Sequence, residues 1–460
     1  MDIAFITPEI TPYSRATELG DVSAALPKAL RGTAHRVTVI SPLWADVDPA
    51  SRSLARRLTA IETKLLSDAP AAAHVVFDGR TTGGVDLVFL AQSERFGSVS
   101  SAAFAALSAR ERMLAALDFS VAAIELLCLR DPKPEIVHAH GYFAAAALPI
   151  AREKLPSAST VLSVYDLTDR GALEPSMLAG VRLPDAVAEA AGARPSLLRA
   201  GISAAHRIIT GSTAVARALV SEQPELDGKL VSIAHGADSS RVNPTSDALI
   251  PARFDAVELG GKQRCKDALQ YAAGLPVRAD VPLFLVAGDL ASSAAAVVQA
   301  LAGVLRNDVQ VVVFGGDAQE RGAASGLSDL ATQYGERLKL LEGKDERTLH
   351  AAMAGADFAL LPGRSAQLGD LHLWGIRYGA LPVAAHDELT ADTLVDCDAA
   401  LQTGNAFLAS GGDLVAAAQR ATAAFANGSD FDKLRRRVMR TDVSWERAAR
   451  RYEHVYKNIK

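Results

Sequence analysis

Residues 2–42 read DIAFITPEITPYSRATELGDVSAALPKALRGTAHRVTVISP. DIAFIT (2–7) is a short apolar run with the make-up of a buried strand. ELGDVSAALPKALRG (18–32) carries a helical pattern, and HRVTVISP (35–42) is a second β-branched run. Two strands joined through a helix pair in parallel, because a parallel crossover needs a dozen or more residues. The same rhythm continues outward through HVVFD (74–78), VDLVFLA (85–91), a long helical stretch ending near LCLRD, EIVHAH (135–140), STVLSVYD (159–166) and RIITGS (207–212). It restarts after the polar, proline-containing DSSRVNPTSD (238–247). The second series is VPLFLVAG (281–288), VQVVVFGG (309–316), LKLLEG (338–343), FALLPG (358–363) and LPVAA (381–385). The alanine-rich SAAFAALSAR (101–110) and DLVAAAQRATAAFA (413–426) read as helices with small packing faces. The expectation is an α/β chain of two Rossmann-like halves, each with a largely parallel sheet and helices on both faces. Ligands of such sheets bind beyond the carboxyl ends of the strands, so the site is expected in a cleft between the halves.

Composition narrows the function classes. The chain has 460 residues, which favours two or three domains. Hydrophobic residues make up 49% and charged residues 22%, as in ordinary globular proteins. A formal charge of −5 and the lack of a dominating basic run argue against a nucleic-acid binder. The KLRRRVMR segment (433–440) reads as the solvated face of a helix. The opening MDIAFITPEI has no basic n-region and no long apolar core, and no run of about 18 apolar residues occurs, so a membrane span is not expected. Cys128, Cys265 and Cys397 are widely spaced and form no CxxC pattern, which fits a reduced, cytoplasmic setting. GxSxG, Walker A, HExxH and GxGxxG motifs are absent, which argues against the corresponding hydrolases, nucleotidases, zinc proteases and dehydrogenases.

Several segments resemble, in order, the bacterial glycogen synthase and plant starch synthase family. ITPEITPYSRATELGDVSAALPKAL is similar to the family's first strand, KTGGLGD-type loop and first helix. EIVHAHGYFAAAALP resembles its HAHDWH segment, LSVYDLTDRG its THN-type strand end, and HGADSSRVNPTSD its NGID-type hinge. VPLFLVAGDLASS, MAGADFALLPGRSAQLGDLHLWGIRYGALPVA and VSWERAARRYEHVY complete the series, while 48–95 and 170–195 align weakly. The resemblance implies a GT-B fold of the retaining, metal-independent class, with no cofactor. It implies an N-terminal domain over 1–243, a C-terminal domain over 244–445, and a last helix over 446–460 that crosses back to the first domain. It also implies ADP-glucose as donor and an α-1,4-glucan as acceptor.

Where the family's motifs hold and split the donor, this chain has other residue types. Transfer needs cations on the diphosphate, because negative charge grows on the leaving group. In the family an SRLxxQKG-type loop supplies an Arg and a Lys; the resemblance puts Asp289 and Ala294 at those positions. The KTGGL loop becomes Arg15-Ala16-Thr17-Glu18-Leu19, so a cation remains at Arg15 but Glu18 replaces a glycine. Asp21 follows in its family place, either near the ligand or as an acidic complement to a helix start. The HAHDWH segment keeps His138 and His140 but replaces its Asp, Trp and last His by Gly141, Tyr142 and Phe143. The family's next His, near the glucosyl carbon, becomes Tyr165; the EPCGL Glu becomes Ala366; the hinge Asn becomes His235.

No catalytic set is intact by this reading, the degenerate positions being Tyr165, Asp289, Ala294 and Ala366. Candidate ligand-binding residues are Arg15, Asp21, His140, His235 and Arg364. His138 and His140 alternate onto one strand face but have no third ligand close in sequence, so no metal site is assigned. The FGGD turn (314–317) is read as a strand-to-helix turn. Trp445 and Tyr452, seven apart, are read as packing residues of the last helix. Three functions are consistent with these residues. One is a catalytically silent scaffold or regulator with a glucan ligand or an active-enzyme partner. Another is an active glycosyltransferase with a changed nucleotide-sugar donor, using Arg15, His235, Arg364 and Arg377 as a substitute anion site. The third is a sensor that binds a sugar or nucleotide without turnover.

Overall fold

Leu285 and Val286 of one unit and Phe5 and Ile6 of the other show why the chain folds as it does: each lies in a strand buried on both faces. The computed structural model describes residues 1–192, 195–287, 290–314, 325–341, 345–361, 370–386 and 390–459. Chain contacts divide it into two compact units. Unit 1 comprises Met1–His235 and Trp445–Lys460, and unit 2 comprises Gly236–Ser444.

The unit 1 strands are β1 (Asp2–Ile6), β2 (Arg36–Pro42), β3 (Ala55–Arg56), β4 (Ile61–Thr63), β5 (Ala72–Arg80), β6 (Asp86–Ala91), β7 (Ile136–His140), β8 (Ser159–Val164), β9 (Arg207–Thr210) and β10 (Leu230–Ser232). Their order is β10-β9-β8-β7-β1-β2-β6-β5-β3, with β4 beside β5. Pairing is parallel from β10 to β6 and antiparallel around β5. Because β1 lies between β2 and β7, strand order reverses there, and loops after β1 and β7 leave the sheet side by side.

Unit 2 contains β11 (Leu283–Val286), β12 (Gln310–Phe314), β13 (Leu338–Leu341), β14 (Phe358–Leu361), β15 (Leu381–Ala385) and β16 (Phe407–Ala409). They are all parallel, in the order β13-β12-β11-β14-β15-β16. Numbered within the unit this is 3-2-1-4-5-6, the doubly-wound order.

Helix starts follow local chemistry. Ser108 and Glu111 form a reciprocal capping box at the helix Ala109–Cys128. Ser196, Ser212, Asp345 and Asp413 each accept a backbone N–H at the start of a later helix. The capping box corrects the expectation of a helix over 101–110: Phe104–Ala106 is one 3₁₀ turn, and the helix begins only after Ser108. The short strands β3, β4, β10 and β16 were not expected; two or three residues carry too little period-2 pattern to be seen in sequence.

The last helix, Trp445–Lys457, buries Trp445, Ala448, Ala449, Tyr452, Val455 and Tyr456 at i, i+3, i+4, i+7 spacing. These side chains join the unit 1 core, so the packing reading of Trp445 and Tyr452 agrees with the structure. The solvated-face reading of 433–440 needs a correction at Arg435. That side chain is buried, because its guanidinium donates to Asp357 at 2.6 Å. Among the described residues no helix is long and apolar enough to cross a membrane.

Candidate functional site

The loop after β1 turns back on itself through a buried carboxylate. Glu9 is 4% exposed. It accepts the Ala16 N–H at 2.5 Å, the Thr17 N–H at 3.0 Å and the Thr17 hydroxyl. Burial pushes its carboxyl above the usual range, against the opposing pull of the Thr17 and Ala16 donors. These N–H groups lead into the helix Leu19–Gly32, where free donors would otherwise favour an anion. An internal carboxylate fills that role.

The candidates Arg15 and Asp21 are brought together by the same loop. Arg15 donates to Asp21 Oδ2 from Nε at 2.9 Å and lies 2.8 Å away through its other nitrogen. Thr11 donates to Asp21 Oδ1 at 3.0 Å. Arg15 stays 63% exposed, so the pair is a surface one. Its charge is nevertheless already partnered.

At the carboxyl ends of β7 and β8 stands a row of rings. His138 and His140 are fully buried, with centroids 4.2 Å apart. His138 is held between the Tyr456 hydroxyl and the Ser163 hydroxyl, each at 2.8 Å. The Tyr165 hydroxyl lies 2.8 Å from His140 Nδ1, and the two rings stack at 15° with centroids 6.0 Å apart. Tyr165 also meets His235 at 5.5 Å, and His235 stacks on Trp445 at 5.5 Å. Gly211 makes room for this arrangement: a Cβ there would stand 3.0 Å from His235 Nε2 and 3.5 Å from Tyr165 Cδ1.

Burial dominates the titration of this row. It lowers His140 to about 3, aided by the nearby His235, and lowers His235 to about 4. His138 falls well below the usual histidine range, by burial first and then by His140. The Tyr165 phenol is pushed well above its usual value by burial. Among the described residues, His140 Nε2 and His235 Nε2 are buried without a hydrogen-bond partner. Neutral imidazoles with an idle nitrogen can accept or donate one hydrogen bond, but they supply no positive charge for a diphosphate. Gly141, where the resemblance places an Asp, starts a helix at φ 67°, a conformation that suits glycine.

The structure therefore joins Arg15 with Asp21, and His140 with Tyr165 and His235. Asp289, Arg364 and Ala366 lie outside the described residues, as does the side chain of Ala294. In unit 2, Arg377 donates to the Val242 carbonyl at 3.4 Å. Sequence reading missed Glu9, Ser163 and Tyr456. Glu9 stands seven and eight residues before the N–H groups it binds, and no periodicity marks such a contact. Among the described residues no group of three or more His, Cys, Asp or Glu is placed to hold a metal ion.

Two largely parallel α/β sheets, with ring-bearing residues at the carboxyl ends of the unit 1 strands, define a GT-B glycosyltransferase fold. The family model described as starch synthase catalytic domain matches residues 2–232. A glycogen synthase from Anaeromyxobacter dehalogenans (strain 2CP-C) is 32% identical over 495 residues, covering all of both chains. One from Myxococcus xanthus (strain DK1622) is 30% identical over 495 residues, covering 100% of this chain and 99% of the relative. The chain belongs to the glycogen and starch synthase family. The catalytic domain of starch synthase IV from Arabidopsis thaliana, solved with ADP and acarbose, superposes with a TM-score of 0.83. It covers 99% of each chain at 22% identity, a likeness of fold.

Proposed function

We propose that this glycogen/starch-synthase-like protein is a cytoplasmic scaffold or regulator of glucan synthesis that binds a glucan or nucleotide sugar and transfers glucose poorly or not at all. The observation that carries the reading is the Tyr165–His140 contact. At the position where the family's motif has a histidine near the glucosyl carbon, a phenol is stacked and hydrogen-bonded to its neighbour instead. Glu9 adds support by filling the donor groups of the first loop, and Asp21 by partnering Arg15. Asp289 and Ala294 stand where the resemblance expects the diphosphate's cations. Removing one group that stabilises charge in a transition state costs about 3–4 kcal/mol, or roughly 10²–10³ in rate.

The test pairs calorimetric titration with ADP-glucose and glycogen against transfer of labelled glucose from ADP-glucose to glycogen. Binding of glycogen or donor with turnover below about 10⁻² s⁻¹ is expected. Turnover of roughly 1 s⁻¹ or more, an ordinary enzyme rate, would overturn the reading.

A second reading is an active transferase with another nucleotide-sugar donor. It is favoured by full-length relatives at 30–32% identity that bear the name glycogen synthase. A panel of ADP-, UDP- and GDP-sugars separates the two, since transfer from any one of them selects the second.

A further inference from the structure

The hairpin joining β5 to β6 lies in a stretch that aligns weakly with the family and packs on the first helix of unit 1. Its tip is closed by the Thr81 N–H donating to Val85 O at 3.0 Å and the Gly84 N–H donating to Thr81 O at 2.9 Å. Two glycines permit a close approach to cationic side chains. A Cβ on Gly83 would stand 3.2 Å from Lys28 Cγ, and one on Gly84 (φ +79°) would stand 2.6 Å from Arg31 Nε.

Beside the tip lies an open, shallow pocket of about 650 Å³, lined by Arg31, Ala34, His35, Arg36, Arg80 and Asp86. Arg36 and Asp86 are the first residues of β2 and β6. The cavity is thus at the amino ends of these strands, at the opposite edge of the sheet from His140 and the loop after β1.

Two of the three guanidiniums, those of Arg36 and Arg80, share the one lining carboxylate, and loosely. Asp86 stands 3.4 Å from Arg80 Nε and 3.9 Å from Arg36 Nε, and Arg36 is 3.6 Å from Asp2. Elsewhere in unit 1, Arg57 meets Asp78 through two bonds of 2.6 Å, and Arg170 meets Glu222 at 2.6 and 2.7 Å. Arg31 has no side-chain hydrogen bond or ion pair among the described residues. His35 faces inward, with Nδ1 3.2 Å from the Met1 amino group and Nε2 3.3 Å from Glu453. Arg80 Nε also donates to the Gly84 carbonyl at 3.3 Å, so the donors left for a ligand are those of Arg31, those of Arg36 and the terminal nitrogens of Arg80. Planar forks of this type match phosphate oxygens. The volume suits a small ligand, and the lining has no Trp, Tyr or Phe, which disfavours a glucan or a stacked base.

We propose that this cavity is a second ligand site, in which Arg31, Arg36 and Arg80 bind a small phosphate ester of the sugar phosphate class.

Titration of the full chain with glucose 1-phosphate, with inorganic phosphate, and with sodium chloride at matched ionic strength tests the proposal. Glucose 1-phosphate is expected to bind with a Kd of about 1 mM or below. The Arg31→Gln/Arg80→Gln double variant is expected to weaken it at least tenfold. Arg31→Lys, which keeps charge and bulk, is expected to lose about threefold and serves if the double variant melts early. No binding up to about 10 mM, or undiminished binding by the folded double variant, would overturn the site. Equal affinity for inorganic phosphate would overturn the ester assignment. Glucosyl transfer is not the readout, so the result is independent of whether the chain is catalytically silent.

Discussion

Replacing Asp357 by alanine should selectively destabilise unit 2. Asp357 is 3% exposed and is in direct contact with two buried cations, Lys266 and Arg435. Arg435 donates to Oδ1 at 2.6 Å, Lys266 lies 2.8 Å from Oδ2, and the Leu283 N–H donates to Oδ2 at 3.0 Å. Burial alone would raise its pKa, but attraction to Lys266 and Arg435 overrides this and holds it below the usual carboxylate range. Losing one partner of a buried ion pair costs about 3–5 kcal/mol, because the remaining charge stays desolvated. The orphaned Leu283 amide adds about 1–3 kcal/mol. Some water will enter the space left, so a net loss of about 4–6 kcal/mol is expected.

For a unit of about 200 residues that corresponds to a fall in melting temperature of about 10 °C or more. Hydrogen exchange read by mass spectrometry localises the effect. Exchange should accelerate in β11 and β14 and stay unchanged in β1 and β7. Asp357→Asn keeps an acceptor for Leu283 and should lose less. A loss below about 1.5 kcal/mol, or equal acceleration in β1, would refute the argument that this cluster holds unit 2 alone.

Lys262 is buried against the Ala354 and Ala356 carbonyls, and burial lowers its pKa to about 7. The unfolded chain then binds more protons than the folded one between about pH 7 and 10.5, so unit 2 should gain stability as pH rises through that window, and Lys262→Met should flatten the slope seen in urea titrations. His140 and His235, lowered to about 3 and about 4, act in the same sense at lower pH. Unit 1 should lose up to about 1.4 kcal/mol per pH unit per histidine as pH falls from about 6.5 toward 4, a slope that denaturation across that range will read. Tyr165→Phe should cost about 1–3 kcal/mol, since His140 then has neither ring nitrogen satisfied; a neutral result in a denaturant titration would remove the contact from the argument. Gly201→Ala should destabilise by about 1–3 kcal/mol, because its Cβ would stand 2.7 Å from Ala145 Cβ and 2.9 Å from Ala145 O, whereas Gly32→Ala, with open space around it, should be neutral or stabilising by thermal melting.

The two sheets were legible because their central strands, such as β1, β7, β11, β12 and β14, are buried on both faces. LPVAA (381–385) coincides with β15, and FALLPG overruns β14 only by two residues that lie outside the described segments. Expected strands run one or two residues past the observed ends where a polar turn continues an apolar run, as after Val164 and Thr210. What escaped were contacts with no local signature. Arg435 lies in a run of like charges that suggests a wet surface, yet its position on the helix Gly428–Met439 turns it inward to Asp357. Sequence proximity puts Asp357 beside Phe358, not beside a residue 78 positions away.

The same distinction bears on function. On the proposed reading, Tyr165, Asp289, Ala294 and Ala366 stand out only against a family pattern; none declares by itself what its neighbours do instead. Unit 1 supplies part of that answer. A residue that loses a ligand but keeps its solvent would leave donors idle and a site easily restored. Here the Ala16 and Thr17 amides are taken by Glu9, Arg15 is taken by Asp21, and His140 Nδ1 is taken by Tyr165. Each internal bond competes with any ligand group that would use the same atom. Restoring a single side chain, as in Tyr165→His, should therefore recover little transfer. Tyr165→His combined with Asp289→Arg and Ala294→Lys, the three changes the resemblance implies, should recover more than the sum of the single changes, because catalytic groups that work as a unit are non-additive. Labelled-glucose transfer by the single and triple variants decides it: full activity from Tyr165→His alone would mean that the internal bonds were never the obstacle.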